Sequence, residues 1–527
     1  MSGSLSALQE HASVAAEAFC QRYVQPPKRS QRCVGAHAQQ CESKPLPGSR
    51  RKSGTFYRPR DHEASPLFQV VREYFDEFER VYPERYQKAY GYWRPVIRTS
   101  LEKFVKCGDL KEGFARVRCP DCRKEFFVAF SCRQRACCPS CDQKRSLMLA
   151  LRLNGSVFNA VPHRQWVFIP RIQLGPLRAA SQCSPHIHVL RVTIPKRLRV
   201  YFRYDRTLLG KLCRAAYETL RDVFALEEDG RKGVPAMVGA VQTFGDLMNW
   251  HPHIHAVVAE GVFGENGTFT AVTDIRMLQV EEFWRDRVFS LLLETHKIDE
   301  ATAGSMRTWR HSGFNVDTSV RIMANDREGM SRLVGYISRC PLSLTRMITR
   351  TGDGRIVYRA SHARCWAFPK SGEQTVMEGI PRNHEIFDPL DFLAEVTQHI
   401  PNKGEHQIRY YGHYSNKSRG LRQNVLKSAL VPRSEQVLTQ QQLRFRLTWA
   451  ALIKLVYEVD PLKCPNCGGT MKIVALIDQS RQPDVVERIL RHCNLWREDK
   501  QRAPPASPVA ATREPSYDPA YFDTICS

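Results

Sequence analysis

Long apolar runs are missing from the chain: none reaches the roughly 18 residues that a membrane-crossing helix needs, which excludes a protein built on such helices. The first twenty residues carry Glu10 and Glu17 and lack a basic start followed by an apolar block, so the reading is of no secretory signal and a cytoplasmic location. Internal repeats of solenoid period are absent as well. Acidic residues are few beside basic ones, 54 Asp+Glu against 78 Lys+Arg, which leaves a formal net charge of +24. Such an excess on a chain with no membrane segment points to a polyanionic partner, most often nucleic acid. Hydrophobic residues at 42% and a length of 527 residues exclude a wholly disordered chain and leave room for two or three cores. Cysteine is plentiful, at 18 residues, and in a reducing compartment C-x-x-C pairs favour metal ligation over disulfides.

Residues 1–64 mix Lys, Arg, Ser, Gln and Pro without periodicity and read as a mobile basic arm. Apolar residues at helical spacing predict helices over 68–81 and 92–104, then 208–226, 281–293 and 327–338. Strands are expected over 161–168, 237–244, 254–258 and 355–358, and a Pro/Ala-rich disordered tail from residue 503.

Two C-x-x-C pairs, Cys119-Pro-Asp-Cys122 and Cys138-Pro-Ser-Cys141, are joined by 15 residues, the spacing of two knuckles on one tetrahedral zinc. Cys137 competes with Cys138, but only Cys138 keeps the two-residue gap to Cys141; Cys132 adds a further thiol nearby. A closed four-cysteine site has no open position and is expected to be structural. Basic residues around it, Arg116, Arg118, Arg123, Lys124, Arg133 and Arg135 among them, suit contact with phosphates. A further pair, Cys464-Pro-Asn-Cys467, is half a site; His492 and Cys493 are the candidates to complete a second zinc, and the alternative is a tight turn with free thiols.

The segment from Gln242 to Val258 contains His251-Pro-His253-Ile254-His255. On a strand, residues two apart share a face, so His253 and His255 project together and Ile254 goes to the opposite side. Two imidazoles with an amide oxygen from Gln242, on the preceding strand if the two form a hairpin, suit Mg²⁺ or Mn²⁺ held against a phosphate. Downstream, Tyr336 lies in a helix that ends at Pro341, with Arg339 close behind. A phenol attacks phosphorus only with help from a cation or base, so Tyr336 is a nucleophile if it faces the histidine strand and a core aromatic otherwise.

With these residues in view, the sequence resembles the HUH transposases of the insertion-sequence-91 family over residues 57–477. The likeness is carried by the cysteine knuckles over 118–141, by Val161-Pro-His-Arg-Gln-Trp-Val-Phe168, by residues 242–261, by Tyr336 to Pro341, and by Arg409-Tyr-Tyr-Gly-His-Tyr-Ser415. The resemblance implies an α+β fold: a helical and zinc-ribbon-like module, then an HUH nuclease with a ferredoxin-like antiparallel sheet. In that family two histidines bind the metal and a helical tyrosine attacks single-stranded DNA, roles that fall on His253, His255 and Tyr336, with Gln242 as third ligand. The implied domains are the basic arm (1–64), a zinc-binding and DNA-binding domain (65–150), and a catalytic domain (151–362) with an insert at 169–192. A basic DNA-contact region (363–450), a Cys-containing segment (451–502) and the tail (503–527) follow.

The chain departs from the family in two ways. Arg332 and Cys340 occupy the positions four before and four after Tyr336, so the helix carries one tyrosine, whereas Tyr410 and Tyr414 have the two-tyrosine spacing in a later segment. The insert contains His186-Ile187-His188, which lacks an upstream glutamine strand and reads as a decoy. The expectation is a cytoplasmic bacterial transposase, on the nucleoid when bound to DNA. It would cut single-stranded element ends, join them to target DNA through a 5′-phosphotyrosine, and use structural zinc and catalytic Mg²⁺ or Mn²⁺. A homodimer is left open, and the rivals are a replication initiator or relaxase and a non-catalytic zinc-dependent DNA-binding protein.

Overall fold

The computed structural model of the protein describes residues 63–169, 195–226, 233–272, 275–309, 314–350, 354–360, 365–366, 381–382, 384–428 and 462–496. The expected basic arm up to residue 62, the insert beyond residue 169 with His186 and His188, and the tail from residue 503 lie outside the described residues. In chain order the main elements begin with α1 (Pro66–Arg85), α2 (Pro95–Val105), β1 (Gly113–Arg118), β2 (Glu125–Ala129), α3 (Pro139–Ser156) and β3 (His163–Ile169). Then come α4 (Lys196–Tyr204), α5 (Thr207–Leu226), β4 (Val234–Phe244), β5 (Trp250–Phe263), β6 (Phe269–Ala271), α6 (Met277–Glu294) and α7 (Glu300–Arg307). They are followed by β7 (Asn315–Asp317), β8 (Arg321–Ile322), α8 (Arg327–Ile337), β9 (Met347–Arg350), β10 (Ile356–Arg359), β11 (His384–Phe387) and α9 (Pro389–Thr397). The last are β12 (Ile408–Gly412), α10 (Asn416–Ser428), β13 (Lys472–Asp478) and α11 (Pro483–His492). The protein is α+β, and every strand pairing described is antiparallel.

The chain divides into two compact units, the larger of which takes in residues 61–107 and 131–431. Its main sheet has the order β12-β4-β5-β3-β7, with β6 on β5 and β8 on β3. Strand β5 is central and buried along its whole length, with an apolar stretch over 256–259 between the buried polar residues His251, His253 and His255 before it and Glu260 after it. The two faces separate by parity. Ile254, Ala256 and Val258 join Met237 and Val241 in a core with Leu212, Leu220, Val280 and Trp284, so α5 and α6 cover that side. Val257 and Ala259 join Val238 and Ala240 in a core with Ala150, Leu153, Met330, Leu333 and Val334, which puts α3 and α8 on the other side. At Gly239 a Cβ would come within 2.6 Å of Cys213 Sγ, so glycine is what lets α5 press this closely on β4.

A further core in the same unit packs α1 against α9 and includes Cys137, Cys138 and Cys141. Its rim is polar: Tyr86 Oη donates to Asp391 Oδ1 at 2.7 Å, and Arg94 donates to the carbonyl oxygen of Ile400 at 2.6 Å.

The described residues of the smaller unit form two distant stretches, 108–130 and 462–496. Strand β13 pairs with β1 from Gly113↔Asp478 to Arg118↔Lys472, which gives the sheet order β13-β1-β2. Alternation splits this small sheet into two faces: Phe114, Phe127 and Ile477 pack on Val486 and Leu490 of α11, while Ala115, Val117, Val128 and Met471 pack around Cys119 and Cys464. Residues from both of the stretches expected over 65–150 and 451–502 contribute to this unit. Among the described residues, no helix is long and apolar enough to cross a membrane.

Candidate functional site

Parity on β5 sends His253 and His255 to the α8 side of the sheet. Both are buried, and their Nε2 atoms are 3.0 Å apart. Two nitrogens about 2.1 Å from one cation and at about a right angle to each other would be separated by about 3.0 Å, so the pair has the spacing of two ligands to one ion. Gln242 lies directly across from His253 in the β4–β5 ladder. Its Oε1 is buried and accepts no hydrogen bond, whereas its Nε2 donates to the carbonyl oxygens of Ile337 at 2.8 Å and Tyr336 at 3.3 Å. The hairpin on which the expected third ligand depended is present, and the orphaned amide oxygen is the donor that a hard cation would take.

The imidazoles are oriented by two groups that sequence reasoning did not single out. The Nδ1–H of His253 donates to the carbonyl oxygen of His251 at 2.7 Å, which leaves Nε2 with its lone pair. Gln165 on β3, buried, places its side-chain amide 2.9 Å from Nδ1 of His255. For both Nε2 atoms to face a cation, His255 must carry its proton on Nδ1, and the Gln165 amide then presents its oxygen to it. The available signal was the alternation His163, Gln165, Val167 on a strand whose Val167 pairs with His255.

Helix α8 brings Tyr336 to this pair. It starts where the Asp326 carboxylate accepts the Gly329 N–H at 2.7 Å, and it buries Met330, Leu333, Val334 and Ile337 at helical spacing. The half-buried Tyr336 ring meets His255 edge-on, with centroids 5.4 Å apart. The two carbonyls bonded by Gln242 are among those that a helix C-terminus leaves without partners. Arg339, just past the helix end, lies over the Tyr336 ring at 4.7 Å and over the Phe244 ring at 5.4 Å. The structure thus gathers Gln242, His253, His255, Tyr336 and Arg339 into one site. Tyr414 is elsewhere: it is fully buried, with Oη 2.7 Å from His163 Nε2, and burial pushes His163 down to about 4. Tyr410 is on β12, its ring beneath Arg419 at 5.3 Å.

The cysteines group differently from expectation. Cys119, Cys122, Cys138 and Cys141 do not form one set; the first pair belongs to the smaller unit and the second to the larger. Cys138 and Cys141 converge with Cys107 and Cys132, with Sγ separations of 3.6 to 3.8 Å. Cys119 and Cys122 converge with Cys464 and Cys467, with separations of 3.5 and 3.4 Å. That second set includes neither His492 nor Cys493. Four thiolates about 2.3 Å from a tetrahedral zinc are about 3.8 Å apart, so both sets have the donors and the spacing that zinc requires. Their acidities are uneven. The backbone amide of Lys124 holds the Cys122 thiol down at about 6, while burial pushes the Cys137 thiol, outside both sets, well up.

The first set touches the helix of Tyr336 through α3. Cys138 is the N-cap of α3 and Cys141 is in its first turn. Ser146 Oγ is 2.6 Å from Ser338 Oγ, and Asn154 Nδ2 is 2.6 Å from Ser331 Oγ, so α3 runs antiparallel to α8 and its cysteine end adjoins the Tyr336 end. Burial pushes the Asp142 carboxyl up to about 6, and hydrogen bonds from the Cys340 thiol and the Ala136 amide oppose the shift. Asp142 thereby ties the start of α3 to the residue after Arg339.

Residues 77–169 match the family described as "Transposase zinc-binding domain", and residues 236–421 match the family described as "Putative transposase". The chain is 25% identical over 402 residues to "Transposase for insertion sequence element IS801" of Pseudomonas savastanoi pv. phaseolicola, covering 73% of this chain and 85% of that protein. It is 23% identical over 436 residues to "Putative transposase y4qJ" of Sinorhizobium fredii (strain NBRC 101917 / NGR234), covering 77% of this chain and 96% of the relative. No solved structure matches the chain.

Proposed function

The chain belongs to the insertion-sequence-91 family of transposases, and from that premise we propose that it cuts and rejoins single-stranded DNA at its element's ends through Tyr336. The carrying observation is the Nε2 pair of His253 and His255 at 3.0 Å, with the orphaned Gln242 Oε1 opposite and the Tyr336 ring against His255. In this reading the sheet is that of an HUH nuclease, and His253, His255 and Gln242 hold Mg²⁺ or Mn²⁺. The ion would supply charge to polarise the scissile phosphate.

The remaining chemistry belongs to the chain's own residues. Tyr336 Oη forms a bond to phosphorus and loses its proton; the bond from phosphorus to the 3′-oxygen breaks, and that oxygen gains a proton. The products are a 5′-phosphotyrosine and a free 3′-hydroxyl. A 3′-hydroxyl of target DNA reverses the exchange, and the phenol leaves. Arg339 places a fixed positive charge on the ring face of the attacking phenol and favours the charge that develops there. The thiolate set at the start of α3, with zinc bound, fixes α8 from outside and keeps Tyr336 in register with the histidines. Basic segments would grip the strand through salt-dependent phosphate contacts.

The test is a labelled single-stranded oligonucleotide spanning an end of the element that carries the gene, incubated with Mn²⁺. A covalent adduct resistant to denaturation supports the proposal; cleavage to a free 5′-phosphate with no adduct rejects it.

Gln242 also explains why an amide is needed at this position. One end must donate to the Tyr336 and Ile337 carbonyls while the other accepts a cation, and a carboxylate can do only the second. Gln242→Glu is therefore expected to bind Mn²⁺ at least as well as the parent chain. Adduct formation should slow by roughly 10- to 100-fold, because the nucleophile is no longer pinned to the metal strand. Calorimetry with Mn²⁺ beside single-turnover adduct kinetics separates the two effects.

A further inference from the structure

We propose that Cys119, Cys122, Cys464 and Cys467 form a second structural zinc centre, a clasp that closes the smaller unit by joining residues 342 and 348 positions apart in sequence. The zinc-binding family match ends at residue 169, and the transposase match ends at residue 421, so neither includes Cys464 or Cys467.

The two halves of the site repeat one backbone design. In the first, the Cys119 N–H donates to the Lys124 carbonyl at 2.9 Å and the Arg123 N–H to the Cys119 carbonyl at 3.1 Å. In the second, the Cys464 N–H donates to the Gly469 carbonyl at 2.8 Å and the Gly468 N–H to the Cys464 carbonyl at 2.9 Å. The same offsets recur in the flanking pairs, Arg118↔Glu125 and Lys463↔Thr470. Arg123 and Gly468 occupy equivalent places in the two turns, with φ of 61° and 73°. Each loop therefore aims two thiols at a common point, and the two loops face each other: Sγ of Cys119 is 3.5 Å from that of Cys467, and Sγ of Cys122 is 3.4 Å from that of Cys464. Those separations are far beyond a disulfide bond of about 2.05 Å and near the edge of a zinc–thiolate tetrahedron. Fit between the loops is close. A Cβ on Gly469 would come within 2.3 Å of Asp121 Oδ2, so the second loop accepts the first only with glycine there.

The centre sits on one face of the sheet, where Ala115, Val117, Val128 and Met471 surround Cys119 and Cys464. Small domains with so little apolar interior commonly depend on a metal to fold. Here the metal also decides the topology: only with residues 464–478 in place does β1 have its neighbour on the β13 side.

Zinc content of the purified full-length chain tests the proposal. Two ions per chain are expected, falling to one in Cys464→Ser/Cys467→Ser and to one in Cys119→Ser. Because Cys119 and Cys464 share a centre, Cys119→Ser/Cys464→Ser should still hold one ion, whereas Cys119→Ser/Cys138→Ser should hold none. Two ions retained in Cys464→Ser/Cys467→Ser, or a single ion in the parent chain, overturns the proposal. The parent chain also supplies a test that does not depend on a variant folding. Cys467 and Cys493 are both exposed. Brief alkylation followed by peptide mass spectrometry should modify Cys493 and spare Cys467 until a chelator is added. Equal modification of the two before chelation means that no metal holds Cys467, and the clasp does not exist.

Discussion

Replacing Tyr336 by phenylalanine is expected to abolish the covalent DNA adduct, a loss of at least about 10³-fold, while the chain still folds and keeps its zinc. The substitution removes one oxygen and retains a ring of nearly the same volume. The edge-on contact with His255 and the Arg339 guanidinium over the ring face both depend on the ring and should survive. Binding of a single-stranded oligonucleotide, with its slope against salt, should therefore match the parent chain. Tyr414→Phe is the informative control. Its phenol is buried, paired with His163 and accepting from the Asn159 N–H, so deletion should cost stability of about 1 to 3 kcal/mol, the cost of leaving a buried partner unsatisfied, and leave the adduct intact. Adduct retained in Tyr336→Phe but lost in Tyr414→Phe or Tyr410→Phe would move the nucleophile to the later segment. Normal cleavage by all three, with a hydrolytic product, would point to water as the nucleophile.

What was legible in the sequence follows from the range of the interactions involved. Alternation along β5 is local, so the shared face of His253 and His255 and the opposite burial of Ile254 could be read directly; so could the strand before them and the helix of Tyr336. The sheet order, and with it the Gln165 contact, depends on which strand lies beside β5, and no local pattern specifies that. The cysteines show the limit most clearly. Three Cys-Pro-x-Cys phrases look alike, yet Cys119-Pro-Asp-Cys122 and Cys464-Pro-Asn-Cys467 double back as turns, whereas Cys138-Pro-Ser-Cys141 opens α3 with proline at the first helical position. A difference was present: Gly468 and Gly469 follow Cys467, and Arg123, also at positive φ, follows Cys122, while Asp142 and a long helical sequence follow Cys141. Spacing alone favoured the nearest partner. Cys107 gives no such signal: a single cysteine before Gly108 makes no knuckle pattern, and its place among the four thiols comes from where α2 ends.

His253→Ala and His255→Ala should each remove detectable cleavage, by about 10³-fold or more, while single-strand affinity changes by less than about five-fold. The contrast follows from where each interaction acts. On the proposed reading, extended phosphate contacts would set affinity, whereas one cation held by the two imidazoles would act only on the phosphate being cut. The two substitutions should nevertheless differ in their side effects. His255 packs against the Tyr336 ring, so its loss leaves a gap beside the nucleophile and a lower melting temperature as well as a lost ligand. His253 is buried against the His251 and His255 rings, so its loss leaves a gap between the histidine rings in addition to the lost ligand. Mn²⁺ titration of the two variants should show binding lost in both, with structural zinc unchanged because its thiolates are on other elements. His186→Ala, in the insert, should cleave normally. An essential His186 with a dispensable His253 would place the catalytic cation on the other histidine pair, and the Nε2 spacing of 3.0 Å in β5 would then be only the hydrogen bond of two core imidazoles.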